Sequence, residues 1–149
     1  MAKVWDIREL GNLNEEEKKQ LLKDAYELGF KYEHDYHGCA QAAFGALQEL
    51  FGVSEPAAFK AATGLAAGFG GSVREICGSL SGSCLFYSML YGRERGNIAD
   101  PERQRFVAYA GCLKLREKLL KEWGSATCRE IMMENMYRRG KGRSCNLCA

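Results

Sequence analysis

The chain has 149 residues, of which 46% are hydrophobic and 27% are charged, a balance typical of one globular domain. A net charge of +2 is too small to indicate a nucleic-acid partner. The first ten residues lack the apolar stretch of a signal peptide, and the longest uncharged run, 76–92, is too short and too polar for a membrane span. We therefore expect a cytoplasmic protein with no membrane span.

The first half of the chain carries helical signals and almost no strand alternation. Asn14 is expected to cap a first helix over 15–30, which opens with three glutamates. A second helix is predicted from about 40 to 51 and ends at Gly52. Pro56 opens a third helix, which fades into a glycine run at 68–71.

The second half continues the helical pattern. A fourth helix is predicted over 74–91, and a fifth begins with Asp100 as its cap and ends at Trp123. Thr127 and Glu130 have the spacing of a capping box for a sixth helix. The sequence thus predicts an all-α fold, a compact bundle of about five or six helices with a glycine-rich loop before a buried central helix.

Charge and glycine are unevenly distributed along the chain. The segment 38–92 holds only five charged residues and ten of the 17 glycines. Helices two to four are therefore expected to be buried, and a homodimer through them is predicted. We expect a single domain over 1–137, followed by a basic tail over 138–149.

Seven cysteines are the most unusual feature of the composition. Their share of the chain lies below the roughly 8–10% of secreted disulfide scaffolds. In a cytosolic protein such a set indicates metal or redox chemistry. Cys84 and Cys112 lie in apolar helical contexts and are predicted to be buried structural thiols.

Three other cysteines each fall at or near a predicted helix start: Cys39, Cys77 and Cys128. A helix N-terminus favours the thiolate, which is the form that ligates metals and attacks disulfides. The core-packing alternative stays open for all three. His37 approaches the first of them and is either a capping residue or a proton relay.

The glycines around Cys77 raise the question of what must come close to its sulfur. Gly70, Gly71 and Gly78 are predicted to leave room for a cofactor or a second sulfur. The alternative is that they only let the third and fourth helices approach each other.

The basic tail ends in a CxxC formed by Cys145 and Cys148. This spacing fits a metal knuckle, a redox pair or two exposed thiols in an unstructured tail. Both cysteines are candidates for the redox-active residue.

These residues together resemble a family of redox-active proteins named after its cysteine pattern, C_GCAxxG_C_C. The resemblance rests on "GCAQAAFGALQELFG", "AAGFGGSVREICGSLSG", "YGRERG" and "TCREIM". Ser79 replaces the alanine of the family's Cys-Gly-Ala-x-x-Gly element. The resemblance implies four shared cysteines, which correspond to Cys39, Cys77, Cys128 and one of the terminal pair. A related domain occurs in split-Soret cytochromes, where a non-haem iron–sulfur site has been suggested.

Three functions remain open at this stage. The first is an electron-transfer protein that binds an iron–sulfur cluster through four cysteines, Cys39, Cys77, Cys128 and Cys145, and meets a redox partner protein. The second is an oxidoreductase for thiol–disulfide exchange, in which a tail cysteine attacks and Cys39 or Cys77 resolves. The third is a structural zinc site closed by four cysteines.

Overall fold

The computed structural model describes residues 3–138, with side chains described through 134. This part of the chain forms six α-helices: α1 Glu15–Tyr36, α2 Cys39–Phe51, α3 Pro56–Ala61, α4 Gly78–Tyr91, α5 Gln104–Trp123 and α6 Cys128–Arg138. Short 3₁₀ helices cover Ile7–Asn12, Ala62–Leu65 and Arg95–Asn97. Within the described residues β-type pairing is limited to one isolated bridge. The predicted all-α fold is confirmed.

The predicted ends of the first two helices are largely confirmed. Asn14 and Glu17 form a reciprocal capping box at the start of α1. This helix continues to Tyr36 instead of ending at the predicted residue 30. Gly52 ends α2 in the left-handed conformation (φ 64°), where glycine has no steric penalty.

The fourth helix begins at Gly78, not at the predicted residue 74. The preceding loop explains the difference, because its backbone is left-handed at Gly71 (φ 78°) and at Val73 (φ 61°). Such residues cannot continue a right-handed helix. Residue 76 then pairs with another segment instead of entering α4.

The start of α5 is also later than predicted, at Gln104. Asp100 nevertheless performs the predicted capping, since its carboxylate accepts the amides of Gln104 (2.6 Å) and Arg105 (3.2 Å). At α6 the carboxylate of Glu130 accepts the hydroxyl of Thr127 at 2.9 Å. This bond joins two side chains. In a capping box, by contrast, each side chain bonds to the backbone amide of the other residue.

The helices pack in sequence, with α2 between α1 and α4, and with α5 on the other side of α4. One core cluster joins the N-terminal segment to α1 and α2 through Trp5, Leu28, Ala46 and Leu50. The rings of Phe44 and Phe86, 5.9 Å apart, connect α2 with α4. These contacts hold α2 between α1 and α4.

No helix within residues 3–138 is long and apolar enough to cross a membrane. The predicted tail with Cys145 and Cys148 lies outside the described residues. The predicted domain boundary and the homodimer stay predictions.

Candidate functional site

The site begins where the first turn of α2 meets the first turn of α4. Gly38 precedes α2 in the left-handed conformation (φ 82°), and Cys39 is the first helical residue. A Cβ added to Gly78 would overlap Cys39 Sγ, and one added to Gly82 would overlap the carbonyl oxygen of Ala40. The two glycines of α4 therefore let the start of α2 lie directly on the helix, with the Cys39 sulfur against Gly78.

The loop before α4 supplies a hydrogen bond to the same sulfur. The amide of Ala67 donates to Cys39 Sγ at 3.3 Å. Ala67 adopts a left-handed conformation (φ 50°) that costs an L-residue roughly 1–2 kcal/mol. Gly70 and Gly71 are left-handed as well, and a Cβ added to either would meet nothing within 4 Å. Of the three glycines predicted at the site, Gly78 is the one whose added Cβ would meet a cysteine sulfur. The role of Gly70 and Gly71 in leaving room for a cofactor stays a prediction.

A short antiparallel bridge brings the second and third cysteines into one region. Ile76 pairs with Thr127, and the amide of Cys77 donates to the carbonyl oxygen of Ala126 at 2.9 Å. The amide of Cys128 donates back to the loop at 2.8 Å. These two hydrogen bonds join the segment before α4 to the segment before α6. The backbone at Cys77 therefore lies close to the backbone at Cys128.

The thiols of these two cysteines have separate local contacts. Cys77 is the N-cap residue of α4, and its Sγ lies 3.1 Å from the hydroxyl of Ser79. Cys128 is buried, and its Sγ lies 3.7 Å from the sulfur of Met132. The predicted position of all three cysteines at helix starts is confirmed, with Cys39 first in α2, Cys77 just before α4 and Cys128 first in α6.

The electrostatics at Cys39 differ from the expectation for an exposed helix N-terminus. Burial raises the pKa of the Cys39 thiol, and the amide of Ala67 opposes this shift by stabilising the thiolate. Electrostatic interactions with Glu33 and Cys77 raise the pKa of Cys39 further. Burial therefore outweighs the helix terminus, and the thiol form is favoured.

Glu33 is a site residue that the sequence analysis missed. Both of its carboxylate oxygens are buried without a hydrogen-bond partner. Burial raises the pKa of this carboxyl, and the nearby His37 lowers it. His37 itself is exposed and is the C-cap residue of α1, with its amide donating to the carbonyl oxygen of Glu33 at 3.2 Å. This backbone hydrogen bond agrees with the interpretation of His37 as a capping residue. The proton-relay alternative stays a prediction.

The remaining cysteines lie apart from this site or outside the described residues. Cys84 and Cys112 are half-buried instead of fully buried, and they lie on α4 and α5. Cys145 and Cys148 belong to the tail that the structure does not describe. Within the described part of the chain, no three histidine, cysteine or acidic side chains form a group that could hold a metal ion. The four-cysteine ligand set therefore stays a prediction.

Residues 37–149 match the family described as "Putative redox-active protein (C_GCAxxG_C_C)". The matched region contains all seven cysteines and every segment of the site except Glu33. No curated protein and no solved structure matches the chain.

Proposed function

Because the chain belongs to the C_GCAxxG_C_C family of redox-active proteins, we propose that it binds an iron–sulfur cluster and transfers electrons through it. The proposed ligands are three helix-start cysteines and one tail cysteine: Cys39, Cys77, Cys128 and Cys145. The coarser function, cysteine-based redox chemistry, is what membership of the family supports.

One observation carries the proposal: three cysteines far apart in the sequence start three helices in one region. The contact of Gly78 with Cys39 joins the first two helix starts. The bridge between Ile76 and Thr127 joins the second and the third. A packing role for each cysteine does not require this convergence, whereas ligands from several chain segments are common in metal sites.

The surroundings of Cys39 suit a ligand sulfur. The amide of Ala67 donates to Cys39 Sγ, and hydrogen bonds to ligand sulfurs tune the potential of such centres. Gly78 leaves space only for the sulfur itself. When bound, a cluster would supply one-electron transfer. The protein's part is to hold the sulfurs and to exclude water around Cys39.

Ligation requires the thiolate, so a proton must leave the half-buried Cys39 thiol. Glu33 lies close enough to Cys39 to oppose this ionisation electrostatically, and its carboxylate oxygens have no hydrogen-bond partner. The sulfur of Cys128 contacts the sulfur of Met132. The Cys128 side chain must therefore rotate away from Met132 before it can join the ligand set.

A second candidate function is thiol–disulfide exchange at the pair formed by Cys39 and Cys77. Its support is their proximity: Cys77 precedes the glycine that touches Cys39 Sγ, and the two thiols interact electrostatically. In that case Cys145 or Cys148 would attack the substrate disulfide, and Cys39 or Cys77 would resolve the mixed disulfide. The zinc site has the same ligands as the cluster, so the metal content distinguishes it.

A panel of single serine variants, purified without oxygen, tests the proposal. Replacement of Cys39, Cys77 or Cys128 should abolish bound iron and the visible absorption, because each variant lacks one of the four proposed thiolate ligands. Cys84→Ser and Cys112→Ser are matched controls that should retain both. Cys145→Ser and Cys148→Ser identify the fourth ligand.

Each alternative has its own outcome in this panel. Full iron content in Cys77→Ser contradicts a single four-cysteine centre. Stoichiometric zinc in colourless wild-type protein supports the structural site. Metal-free protein with one titratable dithiol per chain supports thiol–disulfide exchange.

A further inference from the structure

A second pair of thiols meets away from the candidate site, where α4 and α5 pack. Cys112 Sγ lies 3.7 Å from the carbonyl oxygen of Cys84, and Cys84 Sγ lies 4.0 Å from the carbonyl oxygen of Cys112. The two thiols also lie close enough to interact with each other. Each sulfur therefore reaches the backbone of the opposite residue.

Small residues explain why the two helices come this close. Gly111 packs on the ring of Tyr87, and a Cβ added there would overlap that ring. Ser88 also places only a hydroxyl against Cys112 Sγ, at 3.7 Å. A disulfide requires Cα atoms about 4.4–6.8 Å apart, a separation that helices reach only where side chains at the contact are small.

We propose that Cys84 and Cys112 form a reversible disulfide that links α4 to α5. Both residues are half-buried, so a small oxidant has access to them. The pair would store two electrons at a place separate from the three helix-start cysteines. The proposal is independent of the proposed function, since neither thiol belongs to the candidate ligand set.

The oxidant we assign is a low-molecular-weight disulfide, RSSR. The Cys112 thiolate attacks one sulfur of RSSR, which forms a mixed disulfide and releases one RS⁻. Cys84 Sγ then attacks Cys112 Sγ, so the bond between Cys112 and R breaks and the second RS⁻ leaves. The two leaving thiolates take up the two protons that the cysteines lose. Two electrons and two protons thus move from the protein to RSSR, which becomes two RSH.

The order of attack follows from the environment of Cys84. Burial is the main cause that raises the pKa of Cys84 to about 12, and the contact with Cys112 adds to it. Cys84 is therefore protonated at neutral pH and reacts second. The proton of Cys84 leaves to solvent as its sulfur attacks the mixed disulfide, and the departing RS⁻ takes up a proton from solvent.

The test uses the full chain with oxidised glutathione as the probe. After incubation, free thiols are alkylated, and the protein is digested and mapped by mass spectrometry without reduction. We expect one cross-linked pair of peptides that contain Cys84 and Cys112, and a loss of two alkylatable thiols per chain. Reduction with dithiothreitol should restore both thiols.

Cys84→Ser and Cys112→Ser are the matched variants, and each should remove the cross-link. Cys84→Ser should retain glutathione on Cys112, because the resolving thiol is missing, whereas Cys112→Ser should leave Cys84 alkylatable. If a serine variant does not fold, the wild-type map alone decides. In the wild type, both residues alkylated after oxidation, glutathione retained on either one, or a cross-link from either one to another cysteine would overturn the proposal.

Discussion

Gly78→Ala tests the close approach between α2 and α4 at the candidate site. The added methyl group would overlap Cys39 Sγ and lie 3.1 Å from the amide nitrogen of Ala40. Overpacking of this kind costs about 1–3 kcal/mol. Alanine recovers up to about 1 kcal/mol of helix propensity in a helix interior, and less at the first helical position of α4. We expect a net loss of about 1–2 kcal/mol in the free energy of unfolding.

The assay combines urea denaturation with the iron content of protein purified without oxygen. Because the overlap is with a sulfur that accepts the amide of Ala67, the substitution should displace that sulfur and lower the bound iron in protein that is still folded. Gly29→Ala is the matched control: it lies within α1, and its added Cβ meets nothing within 4 Å. That control should gain about 0.5–1 kcal/mol and keep its iron.

Gly82→Ala separates packing from the role at the sulfur. Its Cβ would overlap the carbonyl oxygen of Ala40, which is backbone and cannot rotate away. We expect it to be less stable than Gly78→Ala. The account is refuted if folded Gly78→Ala has the stability and the iron content of the wild type.

Three further substitutions address the buried carboxylate oxygens of Glu33 and the buried Asp100. Burial raises the folded pKa of Glu33 above 4.5, so the stability that its protonated form provides is present below pH 4.5 and is lost as the pH rises through the raised folded pKa. Glu33→Gln should therefore be more stable than the wild type at neutral pH, and the difference should shrink toward pH 4.5. Urea denaturation at several pH values measures this difference, and equal stability of the two proteins at every pH would contradict the prediction. The same variant should lower the pH at which Cys39 reacts with iodoacetamide, since a negative neighbour is removed. Asp100→Ala should cost about 2–4 kcal/mol in thermal or urea denaturation, because a buried carboxylate caps α5 and pairs with Arg105 at 3.1 Å. Asp100→Asn should lose less stability, because asparagine tolerates the φ of 54° at this position. An equal loss in Asp100→Asn and Asp100→Ala would show that backbone conformation does not contribute to the effect.

The sequence could place the three helix-start cysteines because their signals are local. Glycine before Cys39, the glycine-rich approach to Cys77 and the threonine before Cys128 are features of short segments. The structure places each cysteine at a helix start as predicted. Local chemistry was therefore sufficient for position along the chain.

The beginning of α4 could not be predicted in the same way. Residues 74–77 contain no proline or glycine that would argue against a helix over these positions. The left-handed conformations of Ala67, Phe69 and Val73 have no signature in these residue types, because each is imposed by contacts of the loop. Tertiary structure decided where this helix starts.

Contacts between residues that are far apart in the chain could not be predicted from the sequence either. Glu33 lies among charged and polar residues near the end of α1 and has the pattern of an exposed helical residue, yet its carboxylate oxygens are buried. Cys84 and Cys112 were each assigned to the core, and their mutual contact depends on how α4 packs against α5. A sequence records the apolar context of such residues and not the distance between them.

The most direct test of the central claim is the iron and acid-labile sulfide content of the wild-type chain after purification without oxygen. The account predicts a brown protein that contains iron and sulfide in equal amounts, with visible absorption that bleaches on reduction. A colourless chain that takes up neither iron nor sulfide, even when reconstituted under reducing conditions, would contradict it.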